Sequence, residues 1–282
     1  MINVLLTGDN NVLKGMALCI LSIVRKTKSP IHFHIMTIGI NWEKNIEKIT
    51  FDNFNILYEE ISKISKDVKF SYYDVTKDME EVFKNSPNKN PQYSPASLIR
   101  LFCYKYIDVD RLIYLDCDTL AYNSLEEFEK INIDDYEFGV VLDHMGKFWI
   151  KKDYFNSGVL YINMPLCKQN KVFENSINLL MKKKYYFADQ SALYHSSTKR
   201  LYLDRKFNEQ RHPKSDTVVK HFCKGIKYFP YFWVYNIKQW NVKKVHSFLK
   251  IHEFDDLYEE YDKIFGNIWP IEKEWFKWNL NI

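Results

Sequence analysis

Short apolar runs alternate with amphipathic stretches along most of this chain. Residues 2–6 form an apolar run broken only by Asn3 and end in the turn-forming cluster Thr7-Gly-Asp-Asn-Asn11, a pattern that predicts a buried strand and a tight turn. Helical periodicity then runs to about Arg25. Further strands are predicted at 31–38, 55–57, 70–74, 112–115, 138–142, 158–162 and 217–222. Helices are predicted at 42–51, 96–106, 171–184 and 190–195. Residues 85–95 carry Pro87, Pro91 and Pro95 and read as a loop. This alternation of strand and helix argues an α/β fold with a mostly parallel sheet flanked by helices. No apolar stretch approaches the ~20 residues of a membrane span.

The most informative strand is 112–115, because it breaks into Asp116-Cys-Asp118. Side chains at i and i+2 of an extended segment leave the same face, so both carboxylates can meet one cation at the strand's carboxyl end. Open α/β sheets bind their ligands at that edge, and paired carboxylate oxygens suit Mg²⁺ or Mn²⁺. The plainer reading is two surface acids that end a strand. Other polar groups fall at similar places. Thr7, Asp9 and Asn11 follow the first strand and can also serve as a helix N-cap cluster. Asp143 follows the run 138–142 and reads otherwise as a loop acid. Phe155-Asn-Ser-Gly158 is predicted as a polar turn feeding a strand, with Gly158 allowing close backbone approach or an unusual φ. Asp189 and Gln190 start a helix. His221 ends a strand and, taken alone, is an ordinary core or surface histidine.

Composition narrows the class. The chain has 282 residues, is 46% hydrophobic and 17% aromatic, and carries a net charge of +4, too little to argue for nucleic acid. The five cysteines are scattered and form no Cys-x-x-Cys pair, which reads as reduced thiols of a cytoplasmic protein. The N-terminus lacks a basic lead, so no signal peptide is predicted. Residues 217–252 contain seven lysines, nine aromatics and no acidic residue; the chain then turns acidic and reaches Trp275-Phe-Lys-Trp278. The predicted organisation is a catalytic domain over 1–228 and a helical, aromatic appendage over 229–282.

Taken in order, several motifs resemble those of glycosyltransferase family 8, the retaining transferases that use nucleotide sugars. They are Val4-Leu-Leu-Thr-Gly-Asp-Asn-Asn11, Arg100-Leu, Arg111-Leu-Ile-Tyr-Leu-Asp-Cys-Asp118, Phe155-Asn-Ser-Gly-Val159, Asp189-Gln190 and His221-Phe-Cys with Lys227 six residues on. The resemblance extends to about residue 230. It implies a GT-A-like, nucleotide-sugar-binding fold, an Mn²⁺ or Mg²⁺ ion, a UDP-glucose or UDP-galactose donor, and a glycan or glycolipid acceptor. By position it implies Asp116, Asp118 and His221 as metal ligands. Thr7, Asp9 and Asn11 would contact uridine and ribose. Arg100, Asn156 and Asp189 would contact the sugar, with Asp116 and Cys117 beside the donor. Asp143 would lie on the sugar or acceptor side, Gln190 would face the anomeric carbon, and Lys227 would reach the pyrophosphate. Gln190 is an amide and a poor nucleophile, which favours attack from the face that the leaving group departs from. The chain departs from the family in placing Lys224, not Gly, after His-x-Cys, and Ser-Leu-Ile before Arg100.

Two rival readings use the same residues. Leu115-Asp-Cys-Asp-Thr119 fits a haloacid-dehalogenase-type phosphatase with Asp116 as nucleophile, although such enzymes carry the motif nearer their start. The lysine- and aromatic-rich segment 217–252 fits a binding module for membrane or single-stranded nucleic acid. Of these two partners the modest net charge favours the membrane, which would place the protein peripherally on its inner face.

Overall fold

The computed structural model describes residues 1–42, 45–91, 94–227 and 233–272. Seven strands form the central sheet: β1 (Ile2–Gly8), β2 (Ile31–Thr37), β3 (Val68–Asp74), β4 (Arg111–Leu115), β5 (Phe138–Leu142), β6 (Phe155–Asn163) and β7 (Arg200–Tyr202). Their order across the sheet is β7-β5-β6-β4-β1-β2-β3. Strand β6 pairs antiparallel with both neighbours, with Leu115 opposite Val159 and Leu142 opposite Phe155; the other pairings are parallel. Its amino end therefore lies at the sheet edge where β1, β4 and β5 end. Asn156, Ser157 and Gly158 reach the binding edge for this reason.

Both faces of the sheet are covered, and the period-2 rule shows how. Ile113 and Leu115 of β4 pack into one core, while Leu112 and Tyr114 pack into the other; alternate side chains of a strand point to opposite faces. Helix α1 (Leu13–Lys26) lies in the first core through Met16, Ile20 and Ile23. Helix α2 (Phe51–Ile64) joins it through Phe54, Leu57 and Ile61. The second core holds α3 (Val172–Lys182) and α4 (Ala188–Ser196).

Several predicted elements are corrected. Residues 55–57 are not a strand but the middle of α2. The i, i+3, i+7 spacing of its buried residues overrides a short local apolar run. The helix expected at 42–51 instead begins at Phe51, where the Thr50 side chain accepts from the Asn53 amide at 3.2 Å; Asn45–Ile46 is extended, and 43–44 lie outside the described residues. The stretch 96–106 is a 3₁₀ helix, Pro95–Phe102, followed by one α turn, Cys103–Tyr106. Pro95 sits in its first turn and Ser94 caps it, as both residues favour. Phe155-Asn-Ser-Gly158, read as a turn, is the start of β6 and is buried. The predicted 217–222 strand is shorter, Val219–His221, and pairs antiparallel with Thr119–Ala121 just after the Asp-x-Asp segment.

Beyond residue 233 the chain folds back onto α1. Helix α5 (Asp255–Phe265) buries Leu257, Tyr258, Tyr261 and Phe265 in the α1 core, and Asp256 pairs with Arg25 at 2.5 Å. Ile237, Val242 and Val245 join the same core. Phe229, Phe232 and Trp275–Trp278 lie outside the described residues. No described helix is long and apolar enough to cross a membrane.

Candidate active site

A cleft of about 890 Å³ opens where β1, β4 and β5 end and β6 begins. Thr7, Asp9, Asn11, Arg100, Asp116, Cys117, Asp118, Asp143, Asn156, Asp189, Gln190 and His221 all line it. Twelve residues named from a linear sequence thus share one concavity. Lys227 does not: it is exposed, with Nζ 4.9 Å from the centre of the Phe248 ring. Two other lysines, Lys224 and Lys238, line the cleft instead.

Asp116, Asp118 and His221 each offer one ligand atom, and these atoms lie within 4.8 Å of one another. His221 Nε2 is 3.2 Å from Asp118 Oδ1 and 3.8 Å from Asp116 Oδ2. Gly158 makes this approach possible: a Cβ there would come within 2.1 Å of His221 Cε1 and 2.8 Å of Asp116 Oδ2. Its need is for space, since no glycine has a positive φ.

The ring orientation of His221 follows from a chain of hydrogen bonds with fixed polarity. The Gly158 amide can only donate, and it donates to Asn156 Oδ1 at 3.0 Å. Asn156 Nδ2 then faces the Asp143 carboxylate at 3.0 Å, as an amide nitrogen must. Asn208 Nδ2 donates to the same Asn156 Oδ1 at 2.9 Å, which turns Asn208 Oδ1 towards His221 Nδ1 at 3.1 Å. An amide oxygen only accepts, so Nδ1 carries a proton and Nε2 is the ring atom turned towards the two carboxylates. Two carboxylate oxygens and an imidazole nitrogen suit a divalent ion such as Mn²⁺ or Mg²⁺, and the Asn208 contact is the kind that orients a ligating histidine. The residues fit such an ion.

Two cations balance the acids. Arg100 is buried and donates to Asp116 Oδ1 and Ser157 O, both at 2.7 Å, lies 3.4 Å from Asp189 Oδ2, and stacks 4.1 Å from the Tyr114 ring centre. Burial would lower its pKa, but Asp116, Tyr114 and Asp189 hold it above the ordinary value. Lys238 donates to Asp118 Oδ2. Burial alone would raise the Asp118 carboxyl, yet Lys238 and His221 hold it well below the usual range. Lys238 is anchored by its neighbours: Gln239 Nε2 donates to Cys117 O at 2.6 Å, and the Trp240 ring occupies the space beside Gly15.

The opposite wall is a polar network. Gln190 Oε1 accepts from the Ser157 amide at 3.0 Å, and its Nε2 donates to Asp143 Oδ2 at 3.2 Å. Asp143 Oδ1 also accepts from the amides of Met145 and Gly146 at 2.9 and 2.6 Å. Asp189 is buried, and burial raises its pKa against the pull of Arg100. On the β1 side, Thr7 Oγ1 lies 3.2 Å from the Tyr114 hydroxyl. Asp9 accepts from the Asn11 amide at 2.9 Å, so it caps a turn as well as facing the cleft; burial raises its pKa. Cys117 donates to Thr7 O at 3.3 Å, and burial pushes its thiol up, keeping it protonated.

Sequence reasoning missed Asn208, Lys238 and Gln239. Asn208 belongs to no strand-end motif. Lys238 stands in a basic run whose lysines looked alike, and only its fold-back onto Asp118 distinguishes it. Tyr114 was missed too, although its place two residues before Asp116 puts it on the same face.

The sequence matches the profile of glycosyl transferase family 8 over residues 3–228, and the chain belongs to that family. That match sets aside the phosphatase reading of Asp116. Among curated proteins it is 29% identical over 191 residues to a putative glycosyltransferase of Haemophilus influenzae, covering 64% of this chain and 54% of that one. A lipopolysaccharide 1,2-glucosyltransferase of Escherichia coli is 26% identical and aligns with 89% of this chain and 83% of its own length. The chain spans about half of the Haemophilus protein and still less of three streptococcal glycosyltransferases. Among solved structures, galactosyltransferase LgtC with donor and acceptor sugar analogues superposes with a TM-score of 0.63 at 20% identity, covering 97% of this chain and 99% of that one. The bifunctional glycosyltransferase WbbM gives 0.64 at 16% identity, covering 92% of this chain and 49% of that one. These structures establish a GT-A-like fold.

Proposed function

We propose that the chain is a divalent-metal-dependent, retaining hexosyltransferase that moves glucose or galactose from a UDP-sugar to a glycan or glycolipid acceptor. Two of its relatives, a lipopolysaccharide 1,2-glucosyltransferase and a lipopolysaccharide 1,3-galactosyltransferase, support that substrate class. The observation that carries the reading is the convergence of Asp116, Asp118 and an oriented His221 Nε2 in the same cleft as Arg100, Asp189 and Gln190. On this reading residues 1–228 are the catalytic domain and 229–282 an appendage that lends it Lys238.

Asp116, Asp118 and His221 would hold the Mn²⁺ or Mg²⁺ ion, which when bound supplies positive charge against the departing diphosphate. Lys238 and Lys224 stand on the same side and add to that charge, a place we assign to them rather than to Lys227. Thr7, Asp9, Asn11 and Cys117 would face the nucleoside. Arg100, Asn156, Asp143 and Asp189 would fix the hexose. In the transfer, the bond from the anomeric carbon to the β-phosphate oxygen breaks. An acceptor hydroxyl forms its new bond on the same face and passes its proton to that phosphate oxygen. Gln190 takes no covalent part. Its oxygen already accepts the Ser157 amide, and an engaged, neutral amide oxygen is a weak nucleophile, so Gln190 positions and stabilises the developing positive charge.

The test is a thermal-shift panel of nucleotide sugars with Mn²⁺ on the full chain. The true donor should stabilise it by about 2.7 kcal/mol at ~100 times its Kd. No shift with any uridine nucleotide sugar would overturn the donor assignment, and full transferase activity in excess EDTA would overturn the metal assignment.

A further inference from the structure

One part of the cleft's rim, at Trp149 and Ile150, is unusual for a surface. Helix turn Gly146–Trp149 and the residue after it expose three consecutive large apolar side chains: Phe148 is 74% exposed, Trp149 72% and Ile150 45%. Lys147 precedes them and Lys151 and Lys152 follow. A second segment from the end of α3, Met181-Lys-Lys-Lys-Tyr-Tyr186, is built alike, with exposed Met181 and Tyr186 and three exposed lysines.

The two segments form one surface. Trp149 and Ile150 from the first, Tyr186 from the second and Phe187 just beyond it line the same cleft. His195 bridges them: its ring centre is 5.7 Å from that of Tyr185 and 5.3 Å from that of Tyr194, and Lys151 Nζ lies 5.6 Å from the Tyr194 ring centre. Six lysines thus surround an apolar crest, and neither segment contains an acid. The adjacent Asp153 is engaged by the Tyr194 hydroxyl at 2.7 Å and by Arg200 at 3.7 Å.

The basic tail, in contrast, does not present its lysines as one face. Lys220 is buried, Lys238 is bonded to Asp118, Lys224 lines the cleft and Lys227 covers the Phe248 ring. Four of its seven lysines, Lys227, Lys243, Lys244 and Lys250, are exposed, against five of the six in the rim.

We infer that the rim formed by residues 147–152 and 181–186 is a docking surface for an anionic lipid bilayer, with Phe148, Trp149 and Tyr186 at the headgroup level and the lysines against the lipid charge. Exposed aromatics with flanking lysines are what an interface selects, and each lysine near an anionic surface strengthens partitioning about five-fold. A neutral sugar stacking on Trp149 would account for one ring but not for six cations. Docked this way, the cleft opens towards the bilayer. The advantage for a lipid-borne acceptor rests on the proposed transfer reading, whereas the docking itself requires neither donor nor acceptor.

The full chain should co-sediment with vesicles containing about a third phosphatidylglycerol, release at high salt, and ignore pure phosphatidylcholine. Lys151→Glu with Lys183→Glu should weaken binding by more than about ten-fold. Lys243→Glu with Lys244→Glu in the tail should leave it within two-fold. Brominated lipid should quench tryptophan emission, and Trp149→Phe should remove part of that quenching without loss of binding. Circular dichroism and melting confirm that each variant is folded. Absence of wild-type binding, loss in the tail variant only, or rim variants that bind normally while raising KM for a soluble glycan would each overturn the proposal. The last result would make the rim a sugar-stacking surface.

Discussion

The cleft and the far flank of the sheet both bury titratable side chains, and they do opposite things with them. His34, in the middle of β2, is 2% exposed, and burial pushes its pKa down to about 3, with His32 adding to the effect. Its hydrogen-bond partners are neutral: the Tyr73 hydroxyl at 3.1 Å and Asn3 Oδ1 at 3.4 Å. Asp118 is also withdrawn from water, yet it stays ionised because Lys238 and His221 reach it. Burial always opposes charge. A buried group keeps its charge only where the fold delivers an opposite one, and in the cleft those charges arrive from segments distant in sequence.

The strongest challenge to this comparison is to remove a delivered charge. Arg100→Met leaves Asp116 without its guanidinium and Asp189 without a neighbouring cation. It should cost about 3–5 kcal/mol, as breaking a buried pair does, measured by urea unfolding. A loss below ~1 kcal/mol would mean that solvent already screens the pair. Next in size, Asp118→Asn should lower transferase turnover by about a hundred- to a thousand-fold while stability falls less than in Arg100→Met, because the Lys238 side chain it leaves unpaired is 28% exposed and can turn to water. Mn²⁺ binding followed by electron paramagnetic resonance should weaken in parallel; unchanged Mn²⁺ affinity would remove Asp118 from the ion site.

A finer test addresses orientation rather than charge. Asn208→Ala deletes the acceptor for His221 Nδ1 without touching a ligand. It should reduce Mn²⁺ affinity about 10–100-fold, with turnover recovered at high Mn²⁺. If turnover falls and extra Mn²⁺ restores none of it, Asn208 is only a packing residue. The smallest effect belongs to the far flank. The native His34 ring stays neutral while the unfolded one takes a proton near pH 6.5. Stability from this group is therefore full above that pH and falls as the pH drops towards about 3. His34→Gln should flatten the stability profile by about 1–2 kcal/mol between pH 7 and 5; an unchanged slope would show that His34 is protonated in the native state.

Residues at strand ends were the legible part of this molecule. Asp116 and Asp118, Thr7 and Asp143 could be named because an apolar run followed by a polar residue marks both the element and its edge. Family resemblance extended this to Arg100, Asn156, Asp189, Gln190 and His221. What stayed hidden depends on non-local geometry. Nothing within ten residues of Lys238 separates it from Lys243, and Asn208 matters only because Asn156 and His221 come to either side of it. Helix α2 was misread for the opposite reason: residues 55–57 look like a strand at short range, and the spacing of Phe54, Leu57 and Ile61 decides only over a longer window.

The fold-back that carries Lys238 onto Asp118 also fixes when this cleft can exist. Lys238 is made 120 residues after Asp118. At roughly 5–20 residues per second, a ribosome takes about 6–24 s to cover that distance. Throughout that interval β1, β2 and β4 are already available for pairing. Arg100 can meet Asp116, but Asp118 must wait in water for both of its partners. The nascent chain therefore acquires its sheet first and its fully compensated acid pair last, so a prematurely released chain would hold much of the architecture and lack the site.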